Sequence, residues 1–377
     1  MVFSSAMSSV HRQALRRARR VVLKVGTRSL VGSIQKPEFH IQDLVDASAR
    51  LCQEGKEVVV VSSGAIALGC GRLGLQRRPR SMAQLQAAAA AGQSLLMRHY
   101  EDAFACHQLG VAQVLLTHAD FADRERYLNA RGALQALLKA GVVPVVNEND
   151  TVSVDEIRFG DNDQLAAMVA TSLSADLLVL LTDVDGVLDA HQQRVAFSDD
   201  MRRLRALVRP HRSHAEQVSL GGMESKLDAA DRAARAGVSV VIATLKTPDA
   251  ISRIVRGEDV GTLLVDSAPP LNGRKHWIAF TLKPRGAIMI DAGAAKALRT
   301  NAKSLLPAGV IAVRGDFDTG DAVQLIGTDG AELGRGLARY GVRDVSRLAG
   351  ASTDEIATRI GYHAGNEVVH RDDMVVW

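Results

Sequence analysis

Six short polar clusters in this chain have residue types suited to holding phosphate and carboxylate groups. They are Lys24-Val25-Gly26-Thr27, Ser62-Ser63-Gly64-Ala65, Asn147-Glu148-Asn149-Asp150, Asp161-Asn162-Asp163, Thr182-Asp183 and Gly221-Gly222-Met223-Glu224-Ser225-Lys226. In the last cluster, glycines let backbone N–H groups approach a phosphate closely, and the helix that follows favours an anion at its N-terminus. Spacing alone does not separate that reading from a plain loop with a surface lysine. Asp161 is placed to cap a following helix, which leaves Asp163 without such an explanation. No Ser–His pair accompanies these groups, which argues against acyl hydrolysis. No Walker A sequence is present either, which argues against a P-loop enzyme. Gly69-x-Gly71-x-x-Gly74 has the spacing of a dinucleotide fingerprint, yet it follows the helical stretch Ala65 to Leu68 rather than a strand, and reads as a helix end and loop. The remaining chemistry is phosphoryl transfer. A carboxylate acceptor is already ionised at neutral pH and needs no general base. Transfer then rests on in-line positioning and on neutralising the moving group, for which Lys24, Lys226, Mg2+ and an orienting carboxylate suffice.

Four of the clusters directly follow apolar runs. The runs Val21-Val22-Leu23, Val58 to Val61, Val111 to Leu116, Val142 to Val146, Leu177 to Leu181 and Val238 to Ile242 are apolar almost throughout. Such runs predict strands buried on both faces in a parallel sheet. Helical stretches alternate with them, among them Ser81 to Gln108, Asp123 to Ala140 and Gln164 to Leu173. The predicted fold is α/β, an open, mostly parallel sheet sandwiched by helices. Ligands of such sheets bind beyond the carboxyl ends of the strands, so four polar clusters at four strand ends describe one rim-shaped site.

The alternation stops near residue 268. Pro269-Pro270 and Leu271-Asn272-Gly273 predict a linker over 268–283. Beyond it, short β-like pieces (Ala287 to Asp291, Val310 to Gly315, Ala322 to Ile326) and one helix near Ala294 to Ala302 predict a small, mostly-β domain over 284–377. The catalytic domain is expected over 20–267. Residues 1–19 are expected to be a frayed extension, with an organelle transit peptide as the alternative. The Arg-rich segment Met201 to His214 is expected to be a solvated loop.

Bulk properties bound the rest. With 377 residues, 47% hydrophobic and 23% charged, the chain has room for two domains and the composition of a globular protein. The formal charge of +4 arises from the start of the chain, because residues 1–20 carry five arginines and no acid. Nucleic-acid binding is therefore not implied by charge. No apolar run approaches the roughly 20 residues that cross a bilayer. Cys52, Cys70 and Cys106 lack metal-ligand spacing and fit a reduced, cytoplasmic chain.

Taken in order, Val22-Leu23-Lys24-Val25-Gly26-Thr27, Ser62-Ser63-Gly64-Ala65-Ile66, Asp123 to Ala130, Asn147-Glu148-Asn149-Asp150, Gly160-Asp161-Asn162-Asp163, Leu181-Thr182-Asp183 and Gly221-Gly222-Met223-x-x-Lys226 resemble the glutamate 5-kinases of the amino-acid kinase superfamily. The likeness runs from about residue 20 to the C-terminus, where the last part is similar to a PUA domain. It implies ATP-dependent phosphorylation of the side-chain carboxylate of L-glutamate to L-glutamyl 5-phosphate, the first step of proline biosynthesis, with ATP and Mg2+. Carried over by position, it makes Lys24, Lys226 and Asp163 catalytic, the lysines meeting the ATP phosphates and Asp163 orienting them. It puts Lys24, Thr182, Asp183, Leu220, Gly221, Gly222, Met223, Glu224, Ser225 and Lys226 at ATP, and Ser63, Asp150 and Asn162 at glutamate, with Asp150 suited to the amino group. It assigns no protein ligand to the metal. It further implies a homo-oligomer, feedback inhibition by proline and hand-over of product to glutamyl-phosphate reductase. Leu220 and Ser225 depart from the threonines usual in the family's phosphate loop, which leaves backbone N–H groups as the phosphate donors there. The alternatives are a sibling kinase, acetylglutamate kinase or aspartokinase, and an RNA-binding protein acting through the PUA-like domain. From Pro284 onward 11 basic residues face 12 acidic ones, with four aromatics, a poor footprint for RNA.

Overall fold

In a computed structural model, residues 5–30, 41–152, 162–208, 222–266, 275, 277–282, 284–301 and 303–376 are described. The chain divides into two units, Met1–Pro270 and Leu271–Trp377. In the first, eight strands form one sheet: β1 Arg20–Val25, β2 Glu57–Ser62, β3 Val111–Leu116, β4 Val143–Glu148, β5 Leu177–Thr182, β6 Phe197–Ser198, β7 Ser239–Thr244 and β8 Thr262–Leu264. Their order is β3-β4-β2-β1-β5-β7-β8-β6. All neighbours are parallel except β7 and β8. The valine- and leucine-rich central strands are buried at nearly every position, as continuous apolar runs require. β3 differs because it is an edge strand: most of it is half-buried and Gln113 is exposed.

Parallel neighbours need crossover connections, and the helices Gln42–Gln53, Met82–Ala105, Arg124–Lys139, Asn162–Ser172 and Met223–Arg235 provide them. Asn162–Ser172 is buried on nearly all sides, so the polar residues of its first turn lie inside the molecule. The glycine pattern at 69–74 is a packing device. Gly69, in the helix Ala65–Arg72, lies against Gly92 of Met82–Ala105, and a Cβ at Gly92 would stand 1.8 Å from the Ala65 carbonyl oxygen. Gly74 has φ +69° and turns the chain out of the helix.

Two expectations about surface segments are corrected. Residues Ser5–Leu15 form a helix, and Arg12 is 3% exposed. Its guanidinium donates to the carbonyls of Glu258 (2.9 Å), Val260 (3.1 Å), Ala196 (2.8 Å) and Gly261 (3.0 Å), and it pairs with Asp259 at 2.9 Å. Arginine's fork of donors suits four converging carbonyls, which composition alone does not reveal. Of the Arg-rich segment, Met201–Val208 is a helix that buries Leu204 and pairs Arg205 with Asp228. Its remainder lies outside the described residues. No described helix is long and apolar enough to cross a membrane.

The second unit holds a five-stranded sheet: β9 Gly286–Ile290, β10 Val310–Gly315, β11 Ala322–Ile326, β12 Glu332–Leu337 and β13 Met374–Val376, in the order β10-β9-β11-β12-β13. β9 and β11 are parallel and the other pairs antiparallel. β12 escapes sequence reading because of its glycines, yet they are what the pairing needs: a Cβ at Gly334 would meet the Val375 carbonyl oxygen at 2.1 Å. Residues Trp277–Thr281, within the expected linker, form a π-helical turn of this unit, and Arg335 Nη1 donates to the Ala279 carbonyl at 2.9 Å.

The Arg12 contacts make a stability prediction. Arg12→Ala would leave buried carbonyls unpartnered and Asp259 with one fewer cation, at about 3 kcal/mol. Thermal melting should show a Tm lower by roughly 6–12 °C, whereas an unchanged Tm would show that the N-terminal helix adds nothing to the fold.

Candidate active site

Strand order brings the polar clusters side by side. Across β4-β2-β1-β5-β7 the carboxyl ends carry Asn147 and Glu148, Ser62, Lys24, Thr182, and Thr244. Lys24 stands in the middle, in register with Val61 of β2 and Leu180 of β5.

Lys24 Nζ lies 2.7 Å from Asp163 Oδ1, and Lys226 Nζ donates to Asp163 Oδ2 at 3.0 Å. The three side chains are 5%, 1% and 8% exposed for Lys24, Asp163 and Lys226. Burial opposes ionisation of Asp163 most strongly, yet the two lysines together outweigh it and hold the carboxyl below its usual range. The sign follows: stability from this group is fully present above the unfolded carboxyl pKa and is lost as pH falls through the lower folded value. Lys226 is pushed the other way, below the ordinary lysine value, by burial first and then by the charge of Lys24, against the pull of Asp163 and Asp183. Two buried ammonium groups thus share one carboxylate. The cluster is short of negative charge, which is the electrostatic condition for receiving a phosphate.

On the β2–β4 side amide and hydroxyl groups interlock. Asn162 Nδ2 donates to Ser63 Oγ at 2.7 Å, to the Ser62 carbonyl at 3.3 Å and to Asn147 Oδ1 at 3.1 Å. Asn147 Oδ1 also accepts from the Glu148 N–H, and Asn147 Nδ2 donates to Gln93 Oε1, both at 2.9 Å. Ser62 Oγ and Tyr100 Oη share a buried hydrogen bond of 2.9 Å, and burial pushes the Tyr100 phenol well above its ordinary value despite it. Asp150 is half-buried in the turn beyond β4.

On the β5–β7 side Thr182 Oγ1 donates to Asp183 Oδ1 at 3.1 Å, and Thr182 is in register with Thr244. Gly222 is the N-cap of Met223–Arg235 with φ −62° and ψ 172°, and as a glycine it brings no side-chain cap. Its first turn carries Met223, Glu224 and Ser225 ahead of Lys226, and the Ser225 carbonyl accepts from Gln164 Nε2 at 3.4 Å. Leu220 and Gly221 lie outside the described residues. Consecutive residues at the start of one helix therefore divide the site: Asn162 serves the amide side and Asp163 the lysine side.

The structure thus joins Lys24, Asp163 and Lys226 in one group, Ser63 and Asn162 in a second, and Thr182 and Asp183 in a third. Sequence reasoning placed Asn147 in a strand-end cluster of the rim but gave it no role of its own. It passed over Thr244, which sits just past the run ending at Ile242. Gln93 lies in the middle of a long helix, and nothing in its spacing marks it. Among the described residues no group of three or more His, Cys, Asp or Glu could cage a metal ion. The residues fit an Mg2+ ion held chiefly by the nucleotide's own phosphates, as that ion is commonly bound.

Residues 19–244 match the amino acid kinase family, and residues 286–360 match the PUA domain. The chain is 43% identical over 373 residues to the glutamate 5-kinase of Geobacter sp. (strain M21), covering 97% of this chain and 100% of that protein. It is 46% identical over 376 residues to the glutamate 5-kinase of Myxococcus xanthus (strain DK1622), covering 98% and 100%. It is 45% identical over 376 residues to that of Chromohalobacter salexigens, covering 99% and 100%. With the family match spanning more than half of the chain and these relatives aligned end to end, the chain belongs to the amino acid kinase family, among the glutamate 5-kinases.

Proposed function

We infer that this chain transfers the terminal phosphoryl group of ATP to the side-chain carboxylate of L-glutamate, the first step of proline biosynthesis. The observation that carries the reading is the buried Lys24–Asp163–Lys226 group between an amide-lined flank and the Thr182–Asp183 flank. A carboxylate oxygen of glutamate forms the new bond to phosphorus while the bond from phosphorus to the oxygen bridging to ADP breaks. No proton moves, so the site needs no base. Lys24 and Lys226 neutralise the oxygens of the moving group. Asp163 keeps both ammonium groups in place. Ser63, Asp150 and Asn162 hold glutamate, while Thr182, Asp183 and residues 220–226 line the nucleotide. When bound, Mg2+ adds charge neutralisation at the phosphates.

The proposal extends to a cytoplasmic location, supported by three unpaired cysteines. It also includes a homo-oligomer, inhibition by proline and hand-over of the acyl phosphate to glutamyl-phosphate reductase, supported by the family likeness. Chemistry is assigned to residues 20–267, with 268–283 leading into the PUA-like domain over 284–377.

Two measurements test the reading. With ATP and Mg2+, L-glutamate should yield an acyl phosphate that hydroxylamine traps as the hydroxamate, and N-acetylglutamate should react more slowly; the reverse ranking would favour the sibling kinase. Lys24→Ala and Lys226→Ala should each lose activity through kcat, by about 10²–10³-fold, as when one preorganised donor is removed. Steady-state kinetics giving a normal kcat with only a raised ATP KM would instead assign the lysines to ground-state binding.

A further inference from the structure

We propose that Gln93 is a positioning residue that sets recognition of the substrate's free amino group, acting through Asn147 on Asn162. The inference rests on the reading above that Ser63 and Asn162 hold glutamate. A carboxamide has similar shape at both ends but opposite hydrogen-bonding character, so which end it presents must be set by its partners. Asn147 is 2% exposed. Its Oδ1 is already used by the Glu148 N–H and Asn162 Nδ2, so its Nδ2 needs an acceptor, and Gln93 Oε1 at 2.9 Å supplies it. With Asn147 fixed, three acceptors surround Asn162 Nδ2: Asn147 Oδ1, Ser63 Oγ and the Ser62 carbonyl. The nitrogen end of Asn162 is thereby tied to protein.

What remains is the other end. Among the described residues Asn162 Oδ1 is buried with no hydrogen-bond partner, in a residue 7% exposed. A buried acceptor left open in this way calls for a donor from outside the protein, and the α-ammonium of an amino acid is a charged donor of the right kind. If Asn147 turned over, its Nδ2 would face Asn162 Nδ2, setting donor against donor and leaving only Ser63 Oγ and the 3.3 Å contact to the Ser62 carbonyl to hold the Asn162 amide. Gln93 Nε2 is likewise buried without a partner, so only the oxygen of Gln93 takes part in the relay. The helix that carries Gln93 cannot drift, because Gly92 meets the backbone of Ala65 and Gly69 directly.

The test compares L-glutamate with glutarate, which keeps both carboxylates and lacks the amino group. KM for each, or the competitive inhibition constant for glutarate, is measured on the full chain alongside ATP KM and a thermal melt. Gln93→Leu should raise glutamate KM about tenfold, the effect of one lost buried hydrogen bond, and leave the glutarate and ATP constants within about twofold. Gln93→Glu keeps an oxygen acceptor for Asn147 Nδ2 and should stay near the parent value. Equal losses for glutamate and glutarate, or a Gln93→Glu variant as poor as Gln93→Leu, would reduce Gln93 to a packing residue and overturn the proposal. Ser63→Ala is the control for the underlying reading. If it leaves glutamate KM unchanged, the placement of glutamate on the β2–β4 flank fails, and this inference fails with it. If it raises glutamate KM while Gln93→Leu does not, only the role of Gln93 is lost.

Discussion

An ionised carboxylate at 1% exposure is the constraint on which the site is built. Asp163 stays charged in that setting because Lys24 and Lys226 approach its two oxygens from different parts of the chain. Taking Asp163 away would leave two buried ammonium groups without the carboxylate between them, which costs several kcal/mol. β1 must therefore end where Asn162–Ser172 begins, and Met223–Arg235 must start within reach of both. The central place of β1 and the burial of the first turn of Asn162–Ser172 meet that requirement. The same arrangement sets two ammonium groups against one carboxylate, with Asp183 acting on Lys226 from the neighbouring strand end.

Much of this was legible from residue order. Uninterrupted apolar runs marked β1, β2, β4, β5 and β7, because strands covered on both faces have no polar side to alternate with. Polar clusters at the ends of those runs marked the rim of the site before any distance was known. Residue types and spacing could not say that Asn162 and Asp163, adjacent in the chain, look toward different halves of the site; only the family likeness gave them separate roles. That division depends on helical geometry and on which strands are neighbours.

The parts that stayed hidden share a physical cause. Arg12, Gly334 and Gln93 each act through contact with a backbone or an amide far away in sequence, and none belongs to a local pattern. An arginine in a basic, acid-poor stretch reads as solvated until the carbonyls of residues 196, 258, 260 and 261 are found around it. A strand with two glycines reads as a loop until β13 is found pressed against it. Met201–Val208 was obscured by its arginines, although a single leucine, Leu204, is enough to seat the helix.

The two margins of the large sheet differ in what they leave open. An edge strand with open N–H and C=O groups is a template on which another chain can add a strand. At the β6 edge the strand is only two residues long, Phe197–Ser198, and among the described strands it pairs with β8 alone. The opposite edge, β3, is six residues long and pairs only with β4 among the described strands. The sheet is therefore unequal in its capacity to grow: strand addition, whether in ordered assembly or in aggregation, finds a template of two residues at one margin and of six at the other.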